Sequence, residues 1–423
     1  FRRALELQPG AAAIHNNLGN ALREERRYDE AATCFERALE LNPRFPDALN
    51  NLGIVYQAQN RLEAALDCFR RALVLAPGFA DAHNNLGAVL TDMDRYEEAS
   101  ASLGRALELQ PDFPEVYFSL GKGFSKQQRY EEACTCFQKA LELRPGFDTA
   151  FVHLTAQRRH LCDWQDHSHE ANTVQSWVRS GRGAASPFYF LSVSDDPEEQ
   201  LACARQQAKS ATRAITPLPP LKTGLNGKIR VAYLSADFRE HPCSYLLAEV
   251  FEIHDRDDFE IHAFAFGPEA HDPMRARLER AFDHFHDVST RSDREIAEEM
   301  RSLGMHIAID LMGYTRDART GILAYRPAPV QVNYLGYAGT MGAEFIDYVL
   351  VDRFVVAPDQ QPFFTERLVH LPNCYMANDS TRAIADTAPS RQECGLPEEG
   401  FVFCCFNNNN KITPDFFAVW MRL

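Results

Sequence analysis

A few residues of this chain have the types and spacing for group-transfer chemistry. His241 closes the run Asp237-Phe238-Arg-Glu-His241-Pro242, just after the apolar stretch Ile229–Ser235. An imidazole titrates near neutral pH, so in that loop it serves as a hydrogen-bond partner of a substrate or as a general base. The plainer alternative is a histidine ordering its own loop beside Pro242. Lys411 follows the apolar run Phe401–Phe406 and the turn Asn407–Asn410. An ammonium there sets a point charge against an anionic leaving group such as a diphosphate. A solvated lysine at a helix start is the alternative. Gly336-x-x-Gly339-x-x-Gly342, with Thr340 inside it, can bring backbone N–H groups toward a ligand, or be a simple turn. A strand rather than a helix is expected to follow, so it is not a dinucleotide fingerprint. Arg319 and Arg326 either contact anions or brace the sheet. Asp92-Met-Asp94 and Asp255-Arg-Asp257 fall in turns rather than at a strand end over a diphosphate, so no metal is expected. A nucleophile-elbow glycine pattern is missing as well.

These side chains need elements to hold them. From Ile229 onward strands alternate with helices. The expected strands are Ile229–Ser235, Phe259–Phe266, His306–Leu311, Val330–Tyr334, Tyr348–Val351 and Leu368–Leu371, with helices over about 243–254 and 292–303. That alternation predicts a mostly parallel, doubly wound sheet, whose ligands bind beyond the carboxyl ends of the strands. Phe401–Phe406 reads as the first strand of a second sheet, and Thr413-Pro414 opens its first helix with an N-cap and a proline at N1.

The first part of the chain repeats itself. Gly19, Gly53, Gly87 and Gly121 stand 34 residues apart, each after a leucine. Pro9 to Pro145 and Ala4 to Ala140 keep the same period, which is that of tetratricopeptide repeats. The small residues let paired helices approach, and Tyr28, Leu62, Tyr96 and Tyr130 are placed to fill the seam. Asn17, Asn51 and Asn85 recur at one position of successive first helices, with Ser119 ending the row. Lining a concave face, they form an amide ladder for the backbone of an extended peptide, or are solvated consensus residues. The expected organisation is a solenoid over 1–164, a junction over 165–227 with a proline-rich linker before Asn226-Gly227, a Rossmann-like lobe over 228–395, and the start of a second lobe over 396–423.

Bulk properties narrow the partners. A net charge of −15 leaves no basic footprint for nucleic acid. Eleven cysteines without zinc-knuckle spacing read as reduced thiols, and no signal peptide or membrane span is apparent, so a cytoplasmic protein is expected.

Taken jointly and in order, the motifs resemble glycosyltransferase family 41, the O-linked N-acetylglucosamine transferases and their Spindly-type fucosyltransferase relatives. The matching stretches are Leu234-Ser-Ala-Asp237-Phe238-Arg-Glu-His241-Pro242, Gly313-Tyr314-Thr315 with Arg319, and Arg326-Pro327-Ala328-Pro329-Val330-Gln331. They continue through Leu335-Gly336-Tyr337-Ala-Gly339-Thr340, Asp347-Tyr348 with Asp352, and Phe406-Asn407-Asn408 with Lys411-Ile412 and Trp420. Cys162-Asp163-Trp164 marks the junction between repeats and catalytic part in that family. The resemblance implies two Rossmann-like lobes in the GT-B arrangement, with the donor held chiefly by the second. It implies inverting, metal-independent transfer to Ser or Thr of polypeptides bound by the repeats, from UDP-N-acetylglucosamine or alternatively GDP-fucose. His241 and Lys411 then fall at catalytic positions, and Asn408, Lys411, Gly339 and Thr340 at donor-binding ones. Two features depart from the animal enzymes: only a short stretch joins Tyr375 to Gly395, as in bacterial homologues, and Tyr245 replaces a second histidine. With the second lobe only begun, little or no transferase activity is expected of these 423 residues. The competing reading is a peptide-binding scaffold with a degenerate catalytic half.

Overall fold

The computed structural model describes residues 3, 8–183, 185–220, 227–383 and 387–422; Ala4 and Asn226, named above, lie outside them. The repeats form helical hairpins. First helices span Ala12–Glu24, Pro46–Ala58, Ala80–Asp92 and Pro114–Lys126, and second helices Tyr28–Leu41, Leu62–Leu75, Tyr96–Leu109 and Tyr130–Leu143. Each hairpin turns on a left-handed residue: Arg26, Asn60, Asp94 and Gln128, with φ between 59° and 61°. The series continues at Cys162 (φ 54°), after a helix Asp148–His160 that starts in phase with the other first helices. The solenoid's phase thus runs one helix past the point where its sequence markers stop. The helix that follows, His167–Arg179, starts out of step.

The residues facing the glycines fill the centre of the seam, while Tyr28 and Leu62 pack at its margin. A Cβ on Gly53 would lie 2.6 Å from the Phe69 ring, and one on Gly121 2.6 Å from Phe137; Gly19 meets Phe35 and Gly87 meets Leu103 in the same way. Phe35, Phe69, Leu103 and Phe137 are all buried. Tyr28, Tyr96 and Tyr130 open the second helices and stay half-buried, because the first position of those helices lies at the hairpin's rim.

Beyond the junction helix Pro197–Thr212 lies a parallel seven-stranded sheet: β1 Ile229–Ser235, β2 Phe259–Ala265, β3 His284–Asp287, β4 Ile307–Asp310, β5 Val330–Asn333, β6 Tyr348–Val351 and β7 Arg367–His370. Their order is β3-β2-β1-β4-β5-β6-β7, so the direction of winding reverses between β1 and β4. Helices cover both faces. Ala232 and Leu234 pack with Ile296, Met300 and Met341 on one side. Val231 and Tyr233 pack with Leu247, Phe251 and Leu278 on the other. Burial on both faces explains why these strands read as continuous apolar runs.

Two sequence expectations differ from what is found. β3 was not anticipated: His284-Phe-His-Asp287 is short, polar and at the edge. Phe401–Phe406 adopts no strand, since a lone strand has no neighbour to pair with, and Phe401, Phe403 and Phe406 stand exposed. The helix Pro414–Trp420 does form, with Thr413 accepting the Phe416 N–H. Among the described residues no helix is long and apolar enough to cross a membrane.

The seam predicts opposite outcomes for two glycine substitutions. Gly53→Ala overpacks against Phe69 and is expected to cost about 1–3 kcal/mol. Gly104→Ala, on a second helix with nothing within 4 Å of its Cβ position, is expected to gain about 0.5–1 kcal/mol. Denaturation midpoints followed by helical circular dichroism check both. Equal shifts would show that the seam does not limit the packing.

Candidate functional site

The loops after β1, β2, β3 and β4 gather at the carboxyl edge of the sheet and face the hairpin turns of the repeats. A cleft of about 1770 Å³ lies between them. Its lobe wall includes Arg239, Phe266, Ser289, Arg316 and Arg319, and its solenoid wall Asn60 and Asp94. The two walls are tied by an ion pair of Asp29 with Arg294 at 3.7 Å and by Asn60 Nδ2 donating to the Ser289 carbonyl at 3.5 Å. Asp310, at the end of β4, is buried and accepts the N–H groups of Met312 (2.9 Å) and Gly313 (3.2 Å), fixing the loop that carries Arg316. Burial pushes its carboxyl up to about 6 against those two hydrogen bonds.

His241 follows β1 and is the N-cap of the helix Pro242–Glu252. Its Nδ1 accepts the Cys243 N–H at 3.3 Å and lies 3.4 Å from Asp237 Oδ2. One nitrogen cannot serve both at once. Unprotonated, Nδ1 caps the helix and the proton sits on Nε2, making that nitrogen a donor. Protonated, Nδ1 donates to Asp237 and frees the Nε2 lone pair for a base. Asp237 therefore decides which chemistry the imidazole can do. Burial holds His241 below its ordinary value, with Asp237 pulling it back up. Burial also raises Asp237, opposed by His241 and Arg239. Cys243 completes a group of three possible ligands, but burial pushes its thiol up to about 11, so it stays protonated near neutral pH.

The other candidates are distributed differently. Asn408 caps the short turn Asn409–Lys411 through the Asn410 N–H, and Lys411 is exposed. This segment leans on the solenoid's last phased helix, where Asn409 Nδ2 donates to the His160 carbonyl at 3.4 Å and Phe417 packs 5.4 Å from Trp164. Among the described residues no side-chain hydrogen bond or ion pair joins His241 to Asn408 or Lys411.

Thr340 is buried, with its hydroxyl donating to Glu366 Oε2 (2.7 Å) and accepting the Gly342 N–H (3.1 Å). Gly339 carries its backbone against the Tyr337 hydroxyl, which a Cβ would meet at 2.5 Å. Gly342 (φ +59°) presses on the backbone of Ala204 and Arg205. Of the run, Gly342 packs against the junction helix, and Gly336 and Gly339 pack within the lobe. Arg319 donates to Asp293 Oδ1 (2.8 Å) and the Arg291 carbonyl (2.7 Å), and Arg326 donates to Phe345 and Asp347, so both brace the lobe.

The asparagine row exists, with a stagger. Asn51 Nδ2 donates to Asn16 Oδ1 (3.1 Å), Asn85 Nδ2 to Asn50 Oδ1 (2.9 Å), and Ser119 Oγ to Asn84 Oδ1 (3.0 Å). Asn16, Asn50 and Asn84 are buried, whereas Asn17 is exposed and Asn51 and Asn85 are half-buried. Sequence reasoning missed these buried partners, Asp237 beside His241, and Arg316, exposed in the cleft near Asp94. The doubled Asn-Asn of the first three repeats and the four-residue Asp237–His241 spacing were the available signals.

The Asp237–His241 contact makes a directional prediction. A carboxylate favours the charged imidazolium, so Asp237→Asn is expected to lower the His241 pKa further and move the neutral ring toward the Nε2–H tautomer. Nitrogen-detected NMR titration reads both; a raised or unmoved His241 would contradict the pairing.

Comparison with known proteins agrees with this architecture. Residues 216–388 match the family model Glycosyl transferase family 41, and tetratricopeptide-repeat models match 1–43, 16–80, 50–92, 87–128 and 114–147. A probable UDP-N-acetylglucosamine–peptide N-acetylglucosaminyltransferase of Arabidopsis thaliana, SEC, is 34% identical over 284 residues, covering 62% of this chain and 29% of that protein. A UDP-N-acetylglucosamine–peptide N-acetylglucosaminyltransferase of Caenorhabditis elegans is 35% identical over 158 residues, covering 37% and 14%. A mutant O-GlcNAc transferase of Thermobaculum terrenum superposes with a TM-score of 0.54 at 26% identity, covering 89% of this chain and 65% of that one. The chain therefore spans less than two thirds of each of these relatives. It carries a glycosyl transferase family 41 domain on a solenoid of tetratricopeptide repeats.

Proposed function

We propose that this chain is the acceptor-side part of a protein O-glycosyltransferase, moving N-acetylglucosamine from UDP-N-acetylglucosamine to Ser or Thr hydroxyls of polypeptides in the cytoplasm. The observation that carries the reading is the family 41 match over the very lobe whose carboxyl strand edge faces the repeats across a large cleft. In an inverting transfer the acceptor oxygen attacks the anomeric carbon while the bond to the nucleotide oxygen breaks. The hydroxyl proton leaves to a base or to solvent, and charge grows on the diphosphate. His241 at the end of β1 orients the hydroxyl, and takes its proton when Asp237 holds the ring as the Nδ1–H tautomer. Lys411, with Asn408, meets the leaving diphosphate as a fixed charge in place of a metal. Asn17, Asn51 and Asn85 hold the acceptor backbone with the amide N–H groups left over from the ladder.

Low turnover is expected of the 423-residue polypeptide on this reading, because among the described residues Phe401–Phe406 pairs with no strand and Lys411 is exposed. Eleven free thiols suit a reducing compartment.

Calorimetric titration with UDP and with GDP separates the donors: binding of UDP alone supports the proposal, and binding of GDP alone replaces the donor with GDP-fucose. On a polypeptide containing a whole donor lobe, Lys411→Ala is expected to lower kcat about a hundredfold to a thousandfold. An unchanged kcat, or no sugar transferred from UDP-N-acetylglucosamine to any peptide, would sink the assignment.

A further inference from the structure

Away from the cleft, at the outer edge of the sheet, β2 and β3 bring a second set of titratable groups together. His262 and His284 are register partners on these strands, and Glu260 precedes His262 by two residues, on the same face. His262 Nε2 and His284 Nε2 lie 3.1 and 3.2 Å from one atom, Glu260 Oε1. Behind them, His262 Nδ1 is 3.1 Å from His286 Nε2, and His286 Nδ1 is 3.7 Å from Glu299 Oε1 on the helix Asp293–Ser302. His262 is buried; His284 is about half exposed, its side chain keeping 52% of its surface.

The protons of this cluster cannot all be matched. If His262 donates Nε2–H to Glu260, its Nδ1 accepts from His286 Nε2–H, and the bare His286 Nδ1 then faces the Glu299 carboxylate. If the protons run the other way, the bare His262 Nε2 faces the Glu260 carboxylate. A neutral cluster therefore sets one lone pair against an anion in either arrangement. A cation between Glu260 Oε1 and the two Nε2 atoms removes the conflict. Each Nε2 lone pair is then free for the ion, and Nδ1–H of His262 donates to His286, whose Nδ1 lies 3.7 Å from Glu299 Oε1.

We propose that Glu260, His262 and His284 form a binding site for a divalent cation of the Zn²⁺, Ni²⁺ or Co²⁺ class, with His286 and Glu299 orienting His262 from behind. Two imidazoles and a carboxylate are the donors such ions prefer over Mg²⁺ or Ca²⁺. The three ligand atoms lie within 4.8 Å of one another, so small adjustments bring them to bonds of about 2.0–2.2 Å. The exposed side of His284 leaves an entry path and room for water. Arg230 Nε, 3.4 Å from Glu260, faces Oε2 and leaves Oε1 available. Arg291 pairs with Glu299. Bound there, the ion clamps the short edge strand β3 to β2. The site is independent of the transferase reading, since it lies toward the amino end of β2 and the cleft lies beyond the carboxyl ends.

The test is a zinc titration by calorimetry on the chelator-stripped 423-residue chain, with a thermal melt alongside. One site is expected in the wild type. His284→Ala, at a half-exposed position that leaves the core intact, is expected to abolish it and the accompanying rise in melting temperature. His286→Gln, which touches no ion, is expected to weaken it about tenfold to a hundredfold. The eleven thiols can also take zinc; binding that is the same in His284→Ala as in the wild type would assign it to them and overturn the proposal. Failure of the wild type to bind at all would overturn it equally.

Discussion

Everything at the carboxyl edge of the lobe depends on one constraint: a parallel sheet must be covered on both faces. Helices go alternately to either side, every strand points the same way, and every following loop emerges at one edge. The reversal between β1 and β4 then parts the loops carrying His241 and Arg316 and leaves a crevice between them. The loops are packed without slack. A side chain on Gly267 would strike the Ala236 carbonyl, and one on Gly336 the Leu311 carbonyl. Backbone touching backbone fixes the loops more firmly than side-chain contacts would, so His241 and Asp237 inherit their spacing from the strands beneath them.

Much of this frame was legible in the sequence. Long apolar runs marked β1, β2 and β4 to β7, and the period of 34 marked the hairpins, because each depends on local pattern. What escaped depends on partners distant in sequence. β3 is a strand only because β2 pairs with it; its own residues are polar. Phe401–Phe406 has the pattern of a strand and, among the described residues, no neighbouring strand to make it one. The seam is set by a residue sixteen places after each glycine, Phe35 after Gly19 and Phe69 after Gly53, a relation visible only once the hairpin is folded. For the site, residue type was legible, and bracing the lobe was one of the two readings open for Arg319 and Arg326. Arg319, Arg326 and Thr340 lie where motif matching placed them, and each makes a side-chain bond within the lobe, to Asp293, Asp347 and Glu366.

The solenoid and the lobe meet through few, mostly exposed polar contacts, Asp29 with Arg294 and Asn60 with Ser289. Contacts of that kind contribute little individually and are screened by salt. The firmer connection is the junction itself. There Val152 of the last phased helix shares a buried cluster with Val174, Val178 and Phe190, and Ala204 and Ala208 of the helix Pro197–Thr212 enter the core of the sheet. The solenoid is thus attached at one end, and the cleft opens along the remainder of its length.

The staggered amides of the repeats have a sense of direction. At every step the donor sits in the later repeat and the acceptor in the earlier one, from Ser119 back to Asn84, from Asn85 to Asn50 and from Asn51 to Asn16. The row is a one-way rail rather than a symmetric comb. An extended polypeptide laid along it from its amino end meets those groups in a different order from one laid the opposite way. A surface built from near-identical units thus presents its donors and acceptors in a different order along its two directions.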